Sequence, residues 1–250
     1  GRAVTTVNLP LADVPIRDLM SERLGLPVAI DNDANVAALA EQRFGAARGK
    51  RDVVLLTLGT GVGGGVVIDG KSFRGAAGSG AELGHMTVLA DGPPCQGNCP
   101  NRGCLETMCS GTAIARDATE VAGEHPDSQL GQVLAADREL TGALVTELAA
   151  GGDNLAMAVL ARAGFYLGTG IVSLVNVFNP QAVVIGGGAA AAGELMLGPA
   201  REVVRERALS PNKELCEIVP ARFGAEAGML GAALLAFDEC LGVVAAPTET

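Results

Sequence analysis

Tryptophan is absent from the 250 residues, tyrosine occurs once, histidine twice, and aromatic residues make up 3% of the chain. So few rings leave no stacking platform for nucleic-acid bases. Positive charge is also scarce: 18 Lys and Arg stand against 28 Asp and Glu, for a net charge of −10, and the basic residues nowhere cluster. Phosphodiester backbones are bound by clustered Lys and Arg, so nucleic acid is excluded as a partner of this segment. No G-x-x-x-x-G-K-[ST] run occurs, which excludes a P-loop. The uncharged stretch from Ala163 to Phe178, bounded by Arg162 and by Asn179-Pro180, has 16 residues. A membrane span requires about 20, so it reads as a buried core helix, and the chain as cytoplasmic with no membrane partner. No signal-peptide pattern implies an oxidising compartment for the six cysteines.

Glycine is plentiful instead, at 35 residues, and the length allows one large domain or two lobes. After a short polar lead, Val14 to Leu24 has helical spacing that Gly25 stops, and Pro27-Val28-Ala29-Ile30 reads as a buried strand ending at Asp31-Asn32-Asp33. Asp33 is placed to cap the next helix, whose apolar face is Val36, Ala37, Leu39, Ala40 and Phe44 and which Gly45 ends. A carboxylate between a strand's C-terminal end and a helix N-terminus is also kept ionised by the helix dipole and is placed to accept a proton. The acidic triplet does not make a calcium loop, because Val36 and Gln42 stand where Gly and Glu are needed.

Val53 to Leu58 is a continuous apolar strand running into Gly59-Thr60-Gly61-Val62-Gly63-Gly64-Gly65 and a second β-branched run, Val66-Val67-Ile68. The glycine spacing satisfies a dinucleotide fingerprint, but that motif needs a helix next. The pattern reads better as a hairpin whose turn offers bare backbone N–H groups to phosphate, with the Thr60 hydroxyl as a further donor. Residues 112 to 154 read as amphipathic helix, with His125 exposed, and Leu155 to Phe178 as the long buried helix. Ala182 to Ile185 is another short strand; it enters Gly186-Gly187-Gly188, then a helix from near Glu194 to Arg207, an order that suits a nucleotide cradle. A last helix spans about Ala225 to Phe237, with Gly228 and Gly231 for close packing, and the tail ending Pro247-Thr248-Glu249-Thr250 is expected to fray.

The densest chemistry lies between Glu82 and Glu106. His85, Cys95, Cys99 and Cys104 fall within this stretch on Gly/Pro-rich backbone, and they suit a closed tetrahedral Zn²⁺ site of one imidazole and three thiolates. Reduced thiols that merely cluster, or a disulfide, are the alternatives; Cys216 and Cys240 read as small apolar residues. Folding the loop around a metal would bring Glu82, the free nitrogen of His85 and Glu106 together, a set of acceptors suited to a sugar.

The string Glu-x-Gly-His, a spacer, Cys-x₃-Cys-x₄-Cys-x-Glu resembles the signature of the ROK family (repressors, open reading frames and sugar kinases), most closely its bacterial glucokinases. Three residues separate Cys95 from Cys99 where the family has one, which reads as a two-residue insertion. The family has Gly where Ala81 stands, a departure expected to affect packing. The resemblance covers essentially the whole chain and implies an α/β, two-lobed actin-like ATPase (ribonuclease H-like) fold. Its lobes would be residues 1–48, the remainder of a small lobe, and 49–235, the large lobe, with 236–250 as helix end and tail.

The implied reaction is ATP-dependent phosphorylation of a hexose, glucose at its 6-hydroxyl, with Asp33 as general base. Asn32, Asp33, Glu82, His85 and Glu106 would hold the sugar. Gly59, Thr60 and Gly61 would bind phosphate, Gly187 and Gly188 would line the adenosine site, and His85, Cys95, Cys99 and Cys104 would hold structural Zn²⁺. Mg²⁺ would accompany ATP, since phosphoryl transfer relies on charge neutralisation. A dimer or tetramer is expected. A ROK repressor with an upstream DNA-binding domain, or a kinase for fructose, mannose or an N-acetylhexosamine, would share nearly every residue named. The superfamily's first phosphate loop, an Asp-x-Gly-Gly-Thr turn, does not occur in residues 1 to 250. The resemblance therefore implies that the chain starts downstream of that hairpin, that Val28 to Ile30 lacks its sheet neighbours, and that these 250 residues alone phosphorylate sugar poorly.

Overall fold

The computed structural model describes residues 3–5 and 12–240; the expected tail at 247–250 lies outside them. In chain order the elements are β1 (Ala3–Thr5), β2 (Ala12–Val14), α1 (Ile16–Leu24), α2 (Asp33–Arg43), β3 (Val53–Leu58), β4 (Val62–Ile68) and β5 (Lys71–Ser72). A 3₁₀ turn, Leu83–His85, comes next, then α3 (Leu105–Cys109), α4 (Gly111–Glu124), α5 (Gln129–Ala135), α6 (Gly142–Ala150), α7 (Asn154–Phe178) and β6 (Ala182–Gly186). The chain continues through 3₁₀ residues Gly188–Ala192 to α8 (Glu194–Arg207), α9 (Asn212–Leu215), β7 (Glu217–Pro220), a 3₁₀ turn Gly224–Glu226 and α10 (Ala227–Cys240).

One mixed sheet, ordered β5-β4-β3-β6-β7, organises the described residues. β3 and β4 are the expected antiparallel hairpin, while β6 lies parallel to β3 and β7 parallel to β6. The central strands read as unbroken apolar runs because both faces are covered. On one face, Val54, Leu56, Leu58, Val183 and Ile185 join α4, α6, α7 and α8 in the large core. On the other, Val53, Leu55, Val67 and Val184 pack against Ala34, Ala37 and Ala38 of α2 and Ala227 of α10.

The glycines of β4 serve this packing. A Cβ at Gly65 would stand 2.5 Å from the Ala34 carbonyl oxygen and 2.8 Å from the Ala38 Cβ, so α2 can lie directly on the strand; Gly64, on the opposite face, makes room for Ala81 and Leu83. Helix α7 is the one described helix long and apolar enough to cross a membrane, since it extends back to Asn154 beyond the 16-residue uncharged stretch. It is instead the spine of the large core: at Gly164 and Gly168 the backbone of α8 comes too close for any side chain.

Several expectations are corrected. Residues 27–30 form no strand; Pro27 is exposed, the rest of the run half-buried, and no ladder forms, because an apolar extended segment becomes a strand only beside a partner and no described strand adjoins it. The cap of α2 is Asn32, not Asp33: the Asn32 side chain accepts from the N–H groups of Ala34 (2.8 Å) and Asn35 (3.4 Å). Phe44 is 56% exposed rather than on the buried face. Gly45 does not end the helix by a left-handed turn; a side chain there would collide with the carboxylate of Glu41. Residues 112–154 divide into three helices, with Ser110, Ser128 and Thr141 each accepting from an N–H of the first turn. In α10, Gly231 sits against the Val36 backbone, but Gly228 faces open space. Sequence reading also missed β7, β5 and the small β1–β2 hairpin.

Candidate active site

The loop after His85 is closed by its own backbone. Val88 and Leu89 both donate to the Gly103 carbonyl, Gly103 donates to Pro93 and Cys95 to Asn101, with paired bridges Thr87–Cys104 and Pro94–Arg102. Gly103 is required here: its φ is +57°, and a Cβ would collide with the Leu89 carbonyl. Leu105 then donates to Met86, so α3 starts beside the 3₁₀ turn that carries His85.

This closure brings His85, Cys95, Cys99 and Cys104 together, with one ligand atom from each lying within 4.8 Å of all the others. The His85 Nδ1 is 3.4 Å from the Cys95 sulfur, and the Cys99 and Cys104 sulfurs are 4.0 Å apart. A tetrahedral zinc with bonds of ~2.0–2.3 Å requires neighbouring ligand atoms roughly 3.3–3.8 Å apart, so the donor set fits after drawing in by up to about 1 Å. No disulfide joins any of the six cysteines. Burial, then the neighbouring Cys104 and Cys99 thiols, push Cys95 up to about 12; burial also raises Cys104, whereas the N–H of Asn101 lowers Cys99. A central cation would offset the burial that raises Cys95 and Cys104.

Glu106 reaches from this cluster to the glycine hairpin. Its Oε1 is 4.0 Å from the Cys95 sulfur, while Oε2 accepts from the Val62 N–H at 2.9 Å. Gly61 has no room for a side chain because that carboxylate occupies the space. The turn is braced from its other side by the start of α4, where Gly111 donates to the Gly59 carbonyl (2.7 Å) and the Thr112 hydroxyl to the Thr60 carbonyl (2.7 Å). The turn's acceptors are thereby used, and Thr60 is exposed. Gly186, Gly187 and Gly188 stand alongside, since Thr57 pairs with Gly186 across β3 and β6 and a side chain at Gly187 would collide with the Leu58 backbone.

The Asn32–Asp33 segment comes to the same end of β4, where Ala34 lies against Gly63. Asp33 is exposed and accepts only from the N–H of Ala34, at 2.9 Å, among the described residues. Glu82 is also exposed, beside Leu83 at the head of the 3₁₀ turn. The Glu82 carbonyl accepts from the His85 N–H at 3.1 Å, whereas no described hydrogen bond joins Asn32 or Asp33 to the His85–Glu106 group. A concavity of about 580 Å³ against α1, lined by Val14, Ile16, Leu19, Met20, Glu22 and Arg23, contains none of these residues and carries no chemistry.

Two neighbours escaped the sequence reading. Asp31, with a side chain only 4% exposed, accepts from Arg74 Nε at 2.6 Å, and Arg74 Nη2 reaches Glu239 at 2.6 Å. Burial alone would lower the Arg74 pKa, but these two carboxylates hold it raised. Glu41 is fully buried and accepts from the N–H groups of Ala46, Arg222 and Phe223 at 2.8–2.9 Å. Neither Arg74 nor Glu41 stands in a motif, and apart from Ala46 their partners lie far off in the chain.

Sheet, glycine turns and Cys/His loop together define the actin-like ATPase fold in the form that solved ROK kinases take. The chain belongs to the ROK family, whose model matches residues 1–239. A glucokinase of Halalkalibacterium halodurans is 42% identical over 226 residues, 90% of this chain and 68% of that protein. A glucokinase of Thermotoga maritima is 39% identical over 221 residues, 88% of this chain and 69% of that one. The crystal structure of a ROK glucokinase from Streptomyces griseus in complex with glucose and AMPPNP matches with a TM-score of 0.83 at 35% identity, covering 94% of this chain and 76% of its own.

Proposed function

We propose that the chain carries the catalytic centre of an ATP-dependent hexose kinase, a glucokinase transferring the γ-phosphoryl group of ATP to the glucose 6-hydroxyl. The observation that carries this reading is Glu106, one carboxylate that touches both Cys95 of the metal loop and the backbone of the glycine hairpin. A sugar held there would lie next to any phosphate on the turn, and transfer between bound groups gains most from such positioning.

In this reading Asn32, Glu82, His85 and Glu106 hold the sugar hydroxyls, and Asp33, free of side-chain partners among the described residues, accepts the 6-hydroxyl proton as that oxygen bonds to phosphorus. The bond from phosphorus to the bridging oxygen breaks, and ADP leaves. Gly59, Thr60 and Gly61 cradle phosphate, Gly187 and Gly188 underlie the nucleoside, and Mg²⁺ arriving with ATP supplies neutralising charge. His85, Cys95, Cys99 and Cys104 would hold Zn²⁺, which fixes the imidazole's tautomer and aim. A sugar-responsive repressor is the second reading; the free Asp33 carboxylate favours the kinase, because a sensor has no proton to accept.

A panel of glucose, mannose, fructose and N-acetylglucosamine, assayed with ATP and coupled to ADP release, tests this. Glucose should give the highest kcat/KM. Preference for another hexose would reassign the substrate, and sugar binding without turnover even with the Asp-x-Gly-Gly-Thr segment restored upstream would favour the repressor.

A further inference from the structure

We infer that Arg74 and Asp31 are positioning residues for the sugar-binding segment, tying it through α10 to the far end of the chain. This rests on the reading of Asn32 and Asp33 as the residues that meet the sugar. The Asp31 carboxylate spends Oδ1 on the Asn32 N–H (2.8 Å) and the Asn35 side-chain amide (2.9 Å), and Oδ2 on Arg74 Nε (2.6 Å). Asn32 itself caps α2. The backbone that presents Asn32 and Asp33 is therefore held from behind by one buried carboxylate.

That carboxylate is 4% exposed, and Arg74 is its only cationic partner among the described residues. A buried carboxylate stays in place only while it is paired. Arg74 in turn is anchored on Glu239 of α10, while Arg43 of α2 pairs with Asp238 at 2.8 Å, so α10 holds the last residue of α2 directly and the segment before its first residue through Arg74. Of the two acids flanking Asn32, one is neutralised and used as a strut and the other is left free. Arg74 touches neither Asn32 nor Asp33 in any described hydrogen bond; it acts through Asp31.

Glucose titrated calorimetrically into wild type, R74M, D31N/R74M and D31A tests this, with circular dichroism and bound zinc as checks on folding. R74M strands the Asp31 charge, which should turn toward water and carry the Asn32 backbone with it. Glucose affinity should fall about tenfold or more, since small misplacements of reacting groups cost that much, with zinc content unchanged. D31N/R74M removes the stranded charge but keeps an acceptor for the Asn32 N–H, and should recover most of the loss. Wild-type affinity in R74M, or an equal loss in R74M and the double variant, would overturn the inference. Should R74M not fold, D31A decides: it strands no buried charge yet removes the strut, and unchanged affinity there would overturn the inference equally. Failure of the wild type to bind glucose would instead overturn the underlying reading of the site.

Discussion

The two halves of the candidate site are built in opposite ways. The half carried by residues 82–106 is closed by bonds among near neighbours, such as Val88 to Gly103, Cys95 to Asn101 and His85 to Cys95, and reaches distant chain only where Glu106 accepts from the Val62 N–H. The half carried by residues 31–35 depends on distant chain: Arg74 lies 43 residues from Asp31, and Glu41, further along α2, holds the Arg222 N–H 181 positions away. A local loop keeps its shape through its own ligands, whereas a segment tied by long-range contacts keeps its shape only while the whole fold is intact. The two halves should therefore fail separately.

Metal removal should break only the first half, and with the largest effect. Structural zinc contributes ~10 kcal/mol or more to small modules, comparable to a domain's whole stability of ~5–15 kcal/mol. Elemental analysis should find about one zinc per chain. Cys104→Ser should lose it and abolish measurable glucose binding while the far-ultraviolet helical signal persists. Zinc-free protein as purified, or normal glucose binding by the variant, would remove the metal assignment.

Asp33→Asn should break only the second half. It should lower kcat about 10²- to 10⁴-fold, the usual worth of a general base, with zinc content and glucose affinity little changed. Near-normal turnover would leave residue 33 without a chemical role, since the capping role belongs to Asn32.

The same contrast explains what is legible in the sequence. Cysteine spacing, the Gly-Thr-Gly turn between two β-branched runs, and the long helix between Asp153 and Asn179 are local patterns, and each is local in the structure too. The Asp31–Arg74–Glu239 chain and the Glu41 pocket are invisible there because nothing in a linear pattern says which charge meets which. The expected strand at 27–30 shows the converse: β-branched composition gives an extended tendency, but pairing is a property of neighbours. The glycine run entering β4 suggests phosphate chemistry, yet Gly65 is there for α2, Gly63 for the Thr57 side chain and Gly61 for the Glu106 carboxylate.

Glu41→Gln sharpens the comparison from the long-range side. One oxygen accepts from both Arg222 and Phe223 and the other from Ala46, so an amide must turn its NH₂ toward at least one backbone N–H. One buried donor left unsatisfied costs about 1–3 kcal/mol. Urea unfolding should show a lower midpoint by that amount, with zinc content unaffected. A midpoint equal to wild type would mean that the pocket relaxes and the Arg222–Phe223 segment is not held through Glu41.

The smallest effect is expected at Ala81, where the chain enters the first half. The family pattern has Gly there, a departure that points to packing when only the sequence is considered. The structure gives a different reason: Ala81 has φ +66°, in the left-handed region, and its carbonyl oxygen lies 2.5 Å from where a side chain on Gly64 would begin. Both the neighbouring strand and the 3₁₀ turn that follows hold this conformation in place. A left-handed alanine costs roughly 1–2 kcal/mol, so Ala81→Gly relieves that strain. Against this, glycine gives the unfolded chain more freedom, worth about 0.4–1 kcal/mol, and a partly buried methyl is lost. Relief of strain exceeds these losses, so Ala81→Gly should raise the urea midpoint by the equivalent of about 1 kcal/mol or less, with an unchanged slope. A drop in midpoint would show that the Ala81 methyl, packed against the large core, outweighs the backbone strain. The departure from the family pattern would then have been compensated by packing after all.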